Sequence, residues 1–77
     1  MKKLLILGGP EFQIPLIESA KQKGYITCVL DINSQAPAAS IADEFHVCSV
    51  KDYDRALKIA EKFKPDGVTA GMIDMAV

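Results

Sequence analysis

Two glycine-bearing segments hold the main chemical possibility in this 77-residue chain. Gly8-Gly9-Pro10 follows the apolar run Leu4 to Leu7, and Gly71 follows Val68 to Ala70. Where a buried strand runs into a helix, glycines let backbone amides approach an anion at the helix N-terminus. The same glycines can simply make tight strand-to-helix turns, and position alone does not separate the two. Asp31 ends a second apolar run, Ile26 to Leu30, either as a ribose-binding acid or as a loop carboxylate capping its own turn. Elsewhere the reactive side chains are scattered. His46 alternates with Phe45 and Val47 and reads as structural, and His46, Cys28 and Cys48 have no metal-ligand spacing. No nucleophile–base pair is visible, so catalysis is not expected from these residues by themselves.

The specific motif to weigh is the dinucleotide fingerprint, which wants glycine at the first, third and sixth positions of the loop. Gly8-Gly9-Pro10-Glu11-Phe12-Gln13 keeps the first, but Pro10 and Gln13 stand at the other two. Proline removes the close approach to a pyrophosphate, and glutamine widens the strand–helix contact. Asp31 at the end of the second strand keeps a nicotinamide-dinucleotide domain as the alternative reading. A phosphoacceptor receiver domain would need an acidic pair where this chain has Gly8-Gly9.

The elements that must position these residues follow from apolar patterning. Leu4 to Leu7 reads as a strand buried on both faces. A helix should follow, starting near Glu11 or Phe12 and ending at Gly24; Pro15 fits only in its first turn, which implies a late start and a comparatively long Gly8–Phe12 loop. Its inner face holds Ile14, Ile17 and Ala20. Ile26 to Leu30 is a second buried strand, followed by a crossover loop with a short helical turn between Ile32 and Asp43. Glu44 to Cys48 reads as an edge strand. Asp52 caps the next helix and Pro65 stops it, with Ala56, Leu57, Ala60 and Phe63 as its apolar stripe. Val68 to Ala70 is a short fourth strand. This alternation predicts an α/β fold, a Rossmann-like parallel sheet of four strands in the order 3-2-1-4 with flanking helices. Ligands would then bind between the first and fourth strands, at their carboxyl ends.

The chain is long enough for one domain, residues 1–77, and not for two. It stops where a third helix would be starting, and so reads as a fragment of a longer chain. Its last residues, Met72, Ile73, Met75, Ala76 and Val77, are apolar around Asp74, and such a tail is expected to associate, giving a homodimer of the fragment. With 49% apolar and 25% charged residues the composition is that of a globular protein. A net charge of -1 without a basic stripe argues against nucleic acid as a partner. The apolar run after Met1-Lys2-Lys3 is too short for a signal peptide, and no segment reaches membrane-spanning length. Two cysteines inside apolar runs suit small buried hydrophobes in a reducing compartment, so the chain is expected to be cytoplasmic.

A resemblance adds what spacing could not. The stretch Leu5-Ile6-Leu7-Gly8-Gly9-Pro10-Glu11-Phe12-Gln13, then Val29-Leu30-Asp31-Ile32-Asn33 and Ala36-Pro37-Ala38-Ala39, resembles the opening of ATP-grasp carboxylate–amine ligases. It continues through Ile41-Ala42-Asp43-Glu44, Asp66-Gly67-Val68 and Asp74-Met75-Ala76-Val77, nearly the whole chain in order. Within that superfamily it is most similar to the carbamoyl-phosphate-synthase-like group. The resemblance implies an N-terminal, substrate-side domain that is not catalytic alone. It also implies a parent enzyme that uses ATP and magnesium through an acyl phosphate, both held mainly by domains beyond these residues. The partners implied are a small-molecule substrate and those remaining domains. Carried over by position, Gly8, Gly9 and Gln13 would line the substrate crevice, Gly71 would lie opposite, and Asp31 would lie at the rim. Pro10, where the family commonly has glycine, is a departure that bears on a backbone contact to the substrate.

Overall fold

In the computed structural model, residues 2–8, 11–49 and 51–69 are described. Strands β1 (Lys3–Leu7), β2 (Ile26–Asp31), β3 (Glu44–Val47) and β4 (Gly67–Thr69) form one sheet in the order β3-β2-β1-β4. Every pairing is parallel, with Leu5 beside Cys28 and Val68, and Cys28 beside Glu44. This is the α/β architecture and strand order that the patterning predicts. The third helix and the apolar tail fall outside the described residues, as do Gly9, Pro10, Ala70 and Gly71.

Helix α1 (Ile14–Gln22) follows a 3-10 turn at Glu11–Gln13, which is the long entry the sequence implies. Pro15 falls within its first turn, where a missing backbone donor costs nothing. Its C-terminus closes in a Schellman arrangement. Tyr25 N–H donates to the Ala20 carbonyl and Gly24 N–H to that of Lys21, both at 3.0 Å, with Gly24 at φ 85°. A second 3-10 turn, Pro37–Ser40, supplies the crossover between β2 and β3. Helix α2 (Tyr53–Phe63) is capped by Asp52, whose carboxylate accepts from Arg55 N–H at 3.3 Å. Lys64, left-handed at φ 55°, ends it just before Pro65.

Alternation along the two central strands builds a core on each face. Ile6 and Val29 meet Ile17 of α1 and Ala38 of the crossover. Leu5, Cys28 and Leu30 meet Cys48 and Phe63 on the other face, with Ala56, Ile59 and Ala60 of α2 packed against them. Cys28 and Cys48 are buried, free thiols, the packing role their neighbours suggested.

The patterning puts Leu57 in the apolar stripe of α2, but the structure corrects this: Leu57 is 61% exposed, and Ile59 takes the inward position. The contact that sets the helix phase is Phe63, 5% exposed, with Ala56, Ile59 and Ala60 around it; Leu57 lies roughly 60° further round the axis than Ala60. Leu57→Gln is therefore expected to change unfolding free energy by less than about 0.5 kcal/mol. Urea unfolding followed by circular dichroism measures this, and a larger loss would return Leu57 to the core.

Candidate functional site

The strand order reverses between β1 and β4, so the expected crevice would lie at their carboxyl ends. Gly8 leaves β1 with φ 97°, a conformation glycine adopts without a steric penalty, and its N–H donates to the Leu30 carbonyl at 2.7 Å. Gln13, in the turn before α1, is 3% exposed, and its Nε2 donates to the Gly8 carbonyl at 3.2 Å. The side chain expected to line the crevice is thus also a brace that holds the glycine loop. Asp31 ends β2, and its Oδ1 accepts from Asn33 N–H at 2.9 Å. Asn33 repeats the motif on Gln35 N–H at 2.9 Å, so Asp31 does cap its own turn. Gly8, Gln13 and Asp31 therefore meet at one edge of the sheet, while Gly9 and Gly71 lie outside the described residues. The Gly8 N–H and the Gln13 carboxamide are engaged within the loop, and the Asp31 carboxylate stands at the end of β2.

A second feature lies at the other side of the sheet and was not legible in the sequence. Between β3 and α2 runs a groove of about 550 Å³. Glu44 and His46 form one wall, and Arg55, Lys58, Ile59, Glu61 and Lys62 form the other. The buried Cys28 thiol donates to Glu44 Oε2 at 3.8 Å, and His46 Nε2 donates to the same oxygen at 2.7 Å. Potential ligand atoms of all three residues lie within 4.8 Å of one another. Burial first, then the Glu44 charge and its hydrogen bond, push the Cys28 thiol up to about 12. Sequence spacing treated His46 and the cysteines as scattered. Strand register brings Cys28 to Glu44 and His46, a grouping that does not include Cys48. The available signal was the alternation of Glu44 and His46 on one face of a strand.

No family model matches the chain. It is 38% identical over 66 residues to the formate-dependent phosphoribosylglycinamide formyltransferase of Bacteroides thetaiotaomicron, covering 86% of this chain and 17% of that protein. The Methanococcus maripaludis protein of the same name is 35% identical over 65 residues, covering 84% of this chain and again 17% of its own length. Among solved structures, N5-carboxyaminoimidazole ribonucleotide synthetase from Thermotoga maritima superposes with a TM-score of 0.81 at 31% identity. That match covers 91% of this chain and 19% of the other. The chain is homologous to the N-terminal domain of ATP-grasp ligases. It spans about a sixth of the length of the curated ligases it matches. The matches favour the ATP-grasp reading over the nicotinamide-dinucleotide one. ATP-grasp ligases use ATP and magnesium, and these relatives are larger enzymes with small-molecule substrates. Among the described residues, no helix is long and apolar enough to cross a membrane.

Proposed function

We propose that this chain is the substrate-side domain, residues 1–77, of a cytoplasmic ATP-dependent ligase, and that it is not catalytic alone. The match to the N-terminal part of several ligases, covering 86% of this chain in one case, carries the reading. The names of the relatives, phosphoribosylglycinamide formyltransferase and carboxyaminoimidazole ribonucleotide synthetase, share a phosphoribosyl acceptor. A phosphoribosyl compound is accordingly the acceptor proposed here. Gly8, Gly9 and Gln13 hold it in the crevice, with Gly71 opposite and Asp31 at the rim. The phosphate would sit at the N-terminal end of the turn that leads into α1, and Gln13 keeps the preceding loop in place through the Gly8 carbonyl.

ATP and magnesium are assigned mainly to domains beyond these residues. Magnesium requires near-octahedral oxygen ligands. The metal-capable grouping among the described residues pairs a single carboxylate with a thiol and an imidazole, which does not fit it. The acyl-phosphate chemistry belongs with the ATP site, and this domain orients the acceptor.

A chimera provides the test. This chain should replace the matching segment of the Bacteroides thetaiotaomicron enzyme with formylation of phosphoribosylglycinamide retained. In that chimera Gln13→Ala should raise the acceptor KM by roughly tenfold, the value of one lost hydrogen bond, and leave the ATP KM unchanged. A folded but inactive chimera, or a shift in the ATP KM instead, would count against the assignment. On the 77-residue chain alone, thermal stabilisation by micromolar ATP would move the nucleotide site onto these residues.

A further inference from the structure

The Cys28–Glu44–His46 cluster has no part in the acceptor crevice, and its chemistry is of a different kind. We propose that Cys28 Sγ, Glu44 Oε2 and His46 Nε2 form a three-ligand site for a divalent transition metal of the zinc class, with a fourth position open to the groove between β3 and α2.

Register and pleat create the site. Cys28 pairs with Glu44 and Leu30 with His46 across β2 and β3, so side chains two apart on β3 share the face that Cys28 occupies. The carboxylate oxygen already stands 2.7 Å from the imidazole nitrogen and 3.8 Å from the sulfur. Donors around a tetrahedral zinc are separated by roughly 3.3–3.6 Å, given metal–ligand distances of about 2.0–2.3 Å. Shifts on the order of 1 Å reach that geometry, and the two residues that must move have side chains 48% and 35% exposed. Cys28 is fully buried and fixed by the core.

Donor chemistry selects the metal. Thiolate and imidazole favour zinc and its neighbours, whereas magnesium and calcium take oxygen. The site is therefore separate from the magnesium of the ligase reaction. As the metal–sulfur bond forms, the S–H bond of Cys28 breaks, and its proton leaves for solvent along the bond it already makes to Glu44. His46 loses its Nε2 proton to solvent and takes one from solvent on Nδ1, which frees the Nε2 lone pair for the metal as Glu44 turns its oxygen from the imidazole to the metal. Thiolate and carboxylate together neutralise the dication. Arg55, Lys58 and Lys62 across the groove, opposed by Glu61, then favour water or an anion as the fourth ligand.

Cobalt titration of the reduced 77-residue chain tests this, because cobalt reports its own ligands. One equivalent should produce a thiolate-to-cobalt charge-transfer band and the intense visible bands of tetrahedral coordination, all displaced by zinc. Cys28→Ala should abolish the charge-transfer band and Cys48→Ala should leave it intact. His46→Ala and Glu44→Gln should weaken binding by at least the roughly 10–100-fold that even a supporting group contributes to a metal site. Cys28→Ala alters a buried side chain, so circular dichroism accompanies each titration, and the partly exposed His46 and Glu44 variants decide the matter if it unfolds. A folded, reduced chain without a charge-transfer band in excess cobalt would overturn the proposal. So would a band that survives Cys28→Ala or depends on Cys48.

Discussion

Ile6→Ala is expected to remove about 2–5 kcal/mol of stability, a loss that leaves the domain at the edge of unfolding. Ile6 is fully buried in β1, at the centre of the face that α1 covers. Its neighbours are Ile17 from α1, Val29 from β2 and Ala38 from the crossover, so one truncation loosens contacts to three elements. Ala38 is too small to collapse into the cavity, and Val29 is stiff at its branched carbon. At roughly 0.05–0.15 kcal/mol per residue, a chain of 77 residues has only about 4–12 kcal/mol in total. Urea unfolding followed by circular dichroism should show the midpoint falling by roughly a sixth or more with the slope unchanged. Ile6→Val, which removes one methyl group, should cost about 0.5–1.5 kcal/mol. Equal effects of the two substitutions would show that this face is not packed around Ile6.

Asp43→Ala should cost about 1–3 kcal/mol near neutral pH, although Asp43 itself lies at the surface. Its Oδ2 accepts from Thr27 N–H at 2.8 Å and from the Thr27 hydroxyl at 3.1 Å. The hydroxyl oxygen accepts in return from Asp43 N–H at 3.2 Å. Thr27 is completely buried, so deleting the carboxylate leaves its donors without those bonds at the start of β2. Nearby, Lys21 Nζ donates to the Ile41 carbonyl at 2.6 Å and ties α1 to the same segment. The Thr27 amide holds the Asp43 carboxyl below its usual range, with burial opposing and the Thr27 hydroxyl and Lys21 charge assisting. A lowered folded-state value means that folding favours the ionised form. This contribution is complete above the unfolded pKa of about 3.9 and is lost as pH falls through the folded value. The stability gap between wild type and Asp43→Ala should therefore narrow below about pH 3.9. A gap that stays constant through that range would show that hydrogen bonding and not charge is responsible.

The sequence by itself determined the order and kind of the elements. Apolar runs such as Leu4 to Leu7 can be satisfied only between two layers, and that requirement leads to a parallel sheet with helices on both faces. Punctuation at Gly24, Asp52 and Pro65 set the helix ends, because their backbone and capping chemistry is local. The carboxyl edge of the sheet as the place of Gly8, Gln13 and Asp31 followed from where the strands stop. What the tertiary structure decided were questions of phase and register. Leu57 and Ile59 are both apolar, and only the contact of Phe63 with the sheet turned Ile59 inward. Gln13 became a brace because the 3-10 turn carries its amide back to the Gly8 carbonyl, a geometry absent from residue spacing. Cys28 and Glu44 are 16 residues apart, and no local pattern joins them. Their meeting with His46 depends on β3 pairing with β2 in one register, since a slip of one residue would send Glu44 and His46 to the opposite face.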